Sequence, residues 1–164
     1  MIRKFGKWLP KISENAIIDE SAIIIGNVFV NDFVSIWPGV IIRAGEIKAT
    51  IEKNACILDK AFIEAHEEVL IGENSIISHG AIIHGSKIKE NVLVGIGAII
   101  LEVEIGKNSI IAAGSVVKEN VEENSFMAGV PARKIREVSK KEIEEIRKIG
   151  EELHEKAKWL IQNS

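Results

Sequence analysis

The chain has 164 residues, a net charge of −3 and a single cysteine, Cys56. That length suits one domain with its own core, and 46% hydrophobic against 27% charged residues excludes a disordered chain. One cysteine excludes an internal disulfide and a cysteine-built zinc knuckle. The absence of Tyr, 5% aromatic residues and interspersed Lys and Glu argue against a nucleic-acid surface. No apolar run reaches the roughly 18 residues of a membrane helix, and Met1 to Pro10 is basic without a signal peptide's apolar stretch. The expectation is a soluble cytoplasmic protein with neither membrane nor nucleic acid as partner.

β-Branched residues dominate, with 31 Ile and 13 Val against 7 Leu, which favours strands over helices. An aliphatic residue recurs every six positions: Ile18, Ile24, Val30, Ile36, Ile42, then Ile51, Ile57, Ile63, then Ile71, Ile77, Ile83, then Ile88, Val94, Ile100, and last Ile105, Ile111, Val117. Small residues sit four places later in many units, among them Ala22, Ala55, Ala61, Ser75, Ala81, Ala98, Ser109 and Ser115. A helical period of 3.6 cannot produce this spacing. Six residues make a short strand plus a bend, and three such units close a triangular coil that stacks on the next at about 4.8 Å. The reading is all-β: a parallel β-helix of hexapeptide repeats, in which stacking builds one continuous core. The β-helix domain spans residues 1–138, with its repeats at about 16–121.

The rhythm breaks at Ile42 to Thr50, Ile63 to Leu70 and Ile83 to Lys87. All three are third units of a coil, so the departures fall on one edge of the prism. Phe126 to Arg133 reads as a turn-rich exit. Residues 139–164 read as a C-terminal α-helix of the same domain, packed on the outside of the prism. Ser139 and Glu142 form a capping box, and Ile143, Ile146, Ile149, Leu153, Ala157 and Leu160 form its apolar stripe.

Three of the four His, namely His66, His79 and His84, lie within nineteen residues. In the run Ile77-Ser78-His79-Gly80-Ala81-Ile82-Ile83-His84-Gly85 the aliphatic period points Ile83 inward and His84 outward. An outward imidazole can be merely solvated, or three neutral imidazoles can hold zinc with an open fourth position.

Several segments resemble the gamma-class carbonic anhydrases: Val34-Ser35-Ile36-Trp37-Pro38-Gly39-Val40-Ile41-Ile42-Arg43, Asp59 in Cys56-Ile57-Leu58-Asp59, and the His79/His84 pair. The exit Gly129-Val130-Pro131-Ala132 is shared more widely, with hexapeptide acyltransferases. The resemblance implies a left-handed coil, a homotrimer, and a metal at each subunit interface. It implies zinc, with cobalt and ferrous iron as alternatives, held by His84 and a preceding His of one subunit and by His79 of the next. Arg43 and Asp59 match an interface ion pair that orders the site. Glu46 matches an acid that helps move protons, and Glu67 lies in a loop where relatives carry another such acid. The family's first ligand position falls on Glu64, whereas the imidazole nearest to it is His66, inside the eight-residue unit Ile63 to Leu70. Register favours Glu64 as third ligand, and the chemistry of bound water favours His66. Leu58 and Met127 stand where relatives carry Gln and Tyr.

The implied activity is reversible hydration of carbon dioxide to bicarbonate by a metal-bound hydroxide. Two other readings stand beside it. One is a hexapeptide acyltransferase using acyl coenzyme A, with His79 or His84 as general base. The other is a catalytically silent metal-binding or scaffold trimer.

Overall fold

The six-residue period becomes three parallel sheets. In the computed structural model, which describes residues 1–162, successive short strands pair with the strands one coil above and below. The first sheet has seven strands, running from Ile2–Arg3 through Ile23–Ile25, Ile41–Ala44, Phe62–Ala65, Ile82–His84 and Ile99–Leu101 to Val116–Val117. The second has six strands, from Lys11–Ile12 to Glu104–Ile105, and the third has eight, ending in Ser125–Gly129 and Ala132–Glu137. Together they form a left-handed parallel β-helix with a C-terminal helix outside.

The aliphatic residue of each unit points to the axis. Ile24, Ile42, Ile63, Ile83 and Ile100 on the first sheet, Ile51, Ile71 and Ile88 on the second, and Ile36, Ile57 and Ile77 on the third are all 0% exposed. Side chains alternate across a strand, so their neighbours face outward, and the three outer faces differ. The third is covered by the helix. The second is charged, with Lys11 and Lys48 over the Phe29 ring and Lys87 and Lys89 paired to Glu68 and Glu104. The first carries an apolar column, Ile23, Ile41, Phe62, Ile82, Ile99 and Val116, each only half-buried.

The corners explain the polar positions of the repeat. Asn54, Asn74, Asn91, Asn108 and Asn124 all adopt left-handed backbone, with φ between 54° and 60°. Asn tolerates that region best among residues with a side chain. The amides also stack: Asn54 Nδ2 donates to Asn74 Oδ1 at 3.2 Å, and Asn91 Nδ2 to Asn108 Oδ1 at 2.9 Å. At Gly26, φ is +83°, and a Cβ would lie 1.6 Å from the Ala44 carbonyl oxygen of the next coil, so only glycine fits.

The helix α1 spans Lys140–Ala157 and continues as a π-helical turn over Lys158–Gln162. Its capping box is present as expected, Ser139 Oγ accepting from the Glu142 amide and Glu142 from that of Ser139. Ile146 and Ala157 are buried with Ile17, Trp37, Cys56, Leu58 and Ile76 in a seam over the third sheet, and Leu153 packs beside them. Burying one such isoleucine contributes about 2 kcal/mol. Two positions of the expected stripe differ. Ile149 is 40% exposed and Leu160 is 51% exposed. The π turn adds a residue per turn, which carries Leu160 outward and brings Ile161 to the seam. Positions 163–164 of the expected helix lie outside the described residues.

Two further elements depart from the sequence reading. The exit is an antiparallel hairpin that extends the third sheet, with Gly129 opposite Ala132 and a cis Val130–Pro131 bond in its turn. The coil also begins earlier than residue 16: Ile2 pairs with Ile24, and Lys11 with Phe29. Among the described residues no helix is long and apolar enough to cross a membrane.

The Arg136 guanidinium beside Glu142, with the Ser139 amide, lowers that carboxyl from 4.5 to about 2. A depressed carboxyl stabilises the fold above its unfolded value, and the effect fades as pH falls through the folded one. The Glu142→Gln variant should therefore melt a few degrees below wild type at pH 7. In melting curves recorded at stepped pH, the gap should hold down to about pH 4.5 and close towards about pH 2. A gap independent of pH would contradict this account of the cap.

Candidate functional site

Two polar clusters flank the apolar column of the first sheet, one at each edge. The first lies where that sheet meets the second. Register pairs Glu64 with Arg43 on one side and with His84 on the other. All three occupy one phase of successive coils and point outward together. Arg43 Nη2 donates to Glu64 Oε1 at 2.6 Å, and its guanidinium lies 5.5 Å from the centre of the Phe62 ring. Glu64 Oε2 lies 3.8 Å from His84 Nε2.

His66 sits in the exposed loop that the eight-residue unit creates. Its ring stacks on that of His84, with centroids 5.4 Å apart and planes 24° apart. Thus the two extra residues of the loop bring His66 back to the column it left. Glu102, which the sequence reading passed over, stands on the far side of His84 with Oε1 3.6 Å from Nδ1. Its only sequence signal was the shortened unit from Ile100 to Ile105, which ends the strand at Leu101 and turns the next residue outward.

The second cluster lies where the third sheet meets the first. Asp59 and His79 occupy equivalent corners of adjacent coils, tied by the Gly80 amide donating to the Asp59 carbonyl at 2.9 Å. Asp59 Oδ2 is 2.9 Å from His79 Nδ1. In a neutral imidazole, a carboxylate at this position favours the tautomer with the proton on Nδ1, which makes Nε2 the nitrogen available to a metal.

The remaining candidates are spread along the loop edge. Glu46 is exposed, its carbonyl accepting from Asn27 Nδ2 at 2.8 Å. Glu67 is exposed beside Gly85, where an added Cβ would lie 3.2 Å from the Glu67 Cβ. Arg43 and Asp59 do not meet within one chain: Arg43 holds Glu64, and Asp59 holds His79. Leu58 belongs to the apolar seam under α1, and Met127 packs against the main core.

Among the described residues, no three His, Cys, Asp or Glu side chains of one chain form a ready metal cage. The donors nonetheless suit a metal such as zinc. Imidazole is a common zinc ligand, and His66 and His84 are neighbours, with ring centres 5.4 Å apart. His79, with its Nε2 free, is a third donor of the same kind at the opposite edge.

No protein-family model matches the chain. It is 44% identical over 141 residues to the Methanocaldococcus jannaschii protein named "Probable carbonic anhydrase", spanning 83% of this chain and 89% of that one. It is 34% identical over 144 residues to the carnitine operon protein CaiE of Escherichia fergusonii, 85% of this chain and 74% of that one. Among solved structures, a hexapeptide transferase family protein from Anaplasma phagocytophilum superposes with a TM-score of 0.94 at 26% identity, covering 98% of each chain.

Proposed function

We propose, since the chain belongs to the gamma-class carbonic-anhydrase-like family of hexapeptide-repeat proteins, that it is a homotrimer hydrating carbon dioxide reversibly at metal centres shared between subunits. One observation carries this reading: the two half-sites lie at opposite edges of the same uncovered apolar face. His79 lies at the corner before the strand Ile82–His84 and His84 at that strand's far end, and among the described residues no three donors of one chain gather around one point. A threefold arrangement sets one edge of each prism against the opposite edge of the next. His66 and His84 of one subunit would then face His79 of the partner subunit. The apolar column from Ile23 to Val116 would be buried between them, keeping bulk water from the interface.

Each side chain then has a defined task. His66, His79 and His84 hold the metal. Glu64 is engaged by Arg43 and stays beside the imidazoles rather than among the ligands. Asp59 holds the His79 ring. When bound, zinc, cobalt or ferrous iron supplies the Lewis acidity that moves the ionisation of water towards neutral pH. Glu46 and Glu67, exposed along the loop edge, pass the released proton to solvent.

The likeness to a hexapeptide transferase family protein supports a second reading, transfer of an acyl group from coenzyme A. Against it, the longer loops between the first and second sheets are residues 45–48 and 66–68, so the described residues include no long inserted loop to bind an acceptor. Turnover of acetyl coenzyme A without hydration activity would favour this second reading.

Light scattering should give three times the 18.1 kDa chain mass, and Phe62→Asp with Ile82→Asp should yield monomers that still melt cooperatively. A monomeric wild type would overturn the shared site. Metal analysis should find one ion per chain, lost in His79→Ala and His84→Ala and mostly lost in His66→Ala, while Glu64→Gln keeps the metal with altered hydration activity. Full occupancy in His66→Ala together with loss in Glu64→Ala would instead make Glu64 the third ligand.

A further inference from the structure

We infer that Glu102 is a positioning residue for His84, a carboxylate that holds Nδ1 and so turns Nε2 towards the metal. The inference rests on the metal site proposed above. The strand Ile99–Leu101 pairs with Ile82–His84, which sets Leu101 beside His84 and Glu102 one step further round the coil. The Glu102 amide donates to the His84 carbonyl at 2.8 Å, fixing the two backbones together. Glu102 has φ +52°, left-handed backbone that is uncommon for a residue other than glycine, asparagine or aspartate. Its carboxylate faces the imidazole of the coil before, with Oε1 3.6 Å from Nδ1, just outside hydrogen-bond distance, so a small side-chain rotation brings it onto Nδ1–H.

Space for this arrangement comes from Gly85. An added Cβ there would lie 3.4 Å from the Glu102 Cγ and 3.2 Å from the Glu67 Cβ. Nearby acids have other partners: Glu68 is paired to Lys87 and Glu104 to Lys89. Glu102 faces histidine instead. The opposite ring nitrogen, Nε2, faces the side where Glu64 and Arg43 lie. Asp59 stands at Nδ1 of His79 in the same sense. Both histidines therefore have a carboxylate on the Nδ1 side, hydrogen-bonded at His79 and 3.6 Å away at His84; a carboxylate on Nδ1–H is what fixes tautomer and ring direction in metal-binding histidines.

The Glu102 side chain is 55% exposed, and ion pairs at that exposure contribute little to folding. Its effect should appear in metal binding rather than in stability. Zinc affinity measured by chelator competition should fall about 10- to 100-fold in Glu102→Ala, with unchanged melting temperature and oligomeric state. The visible spectrum of the cobalt-loaded variant should shift, because the His84 ring is free to turn. Glu102→Gln, which keeps an acceptor for Nδ1–H, should recover part of both. Wild-type affinity and spectrum in Glu102→Ala, alongside loss of metal in His84→Ala, would overturn the positioning role and leave the metal site standing. A wild-type protein that binds no stoichiometric metal would overturn both.

Discussion

Parallel, in-register stacking of coils is the constraint on which everything else depends. Each strand donates and accepts along the prism axis, so a residue in one phase lies about 4.8 Å from its counterparts in the coils above and below. Inward phases must be aliphatic, because they pile into one dry column with Ile24, Ile42, Ile63, Ile83 and Ile100 in line. Outward phases inherit the same alignment without choosing their chemistry. That is how Arg43, Glu64 and His84, far apart in the chain, come to stand side by side.

The three outer faces complete the physical argument. The third is closed by α1, whose Ile146 and Ala157 bury the outward Ile17, Cys56 and Ile76. The second is solvated by its Lys and Glu pairs. Only the first presents an uncharged apolar column, and the polar clusters flank it on both sides. The proposed trimer would satisfy both needs at once, covering that face and completing the clusters by setting each edge against the opposite edge around a threefold axis.

Much of this was legible from residue order alone. The inward register of every unit from Ile18 to Val117 and the edge that carries the irregular loops followed from the six-residue period. The capping box at Ser139 followed from local chemistry. The first strands were not legible, since Ile2–Arg3 and Lys11–Ile12 expose most of their side chains and carry no burial pattern. The hairpin Ser125 to Glu137 hid because Gly129 and Pro131 read as loop, although they serve as its turn. Leu160 was misplaced because the stripe assumed a uniform helical period, which the π turn breaks. In the site, the phase shared by Glu64 and His84 was readable. The stacking of His66 on His84 was not, because a loop has no register. Glu102 escaped notice for a related reason: its side chain is aimed by a left-handed backbone turn, which a strand-based reading does not anticipate.

The central claim is that no single chain contains the whole site, and complementation tests it most directly. Co-expression of His79→Ala with His84→Ala chains, followed by metal analysis of the mixed oligomers, pairs an intact His84 with an intact His79 across some interfaces. Random assembly should restore metal to roughly one third of the sites in the mixed trimers, about one quarter over the whole population, because each interface needs one particular pairing of two equally abundant chains. Mixed oligomers that hold no more metal than either variant alone would contradict the account and return the site to a single prism.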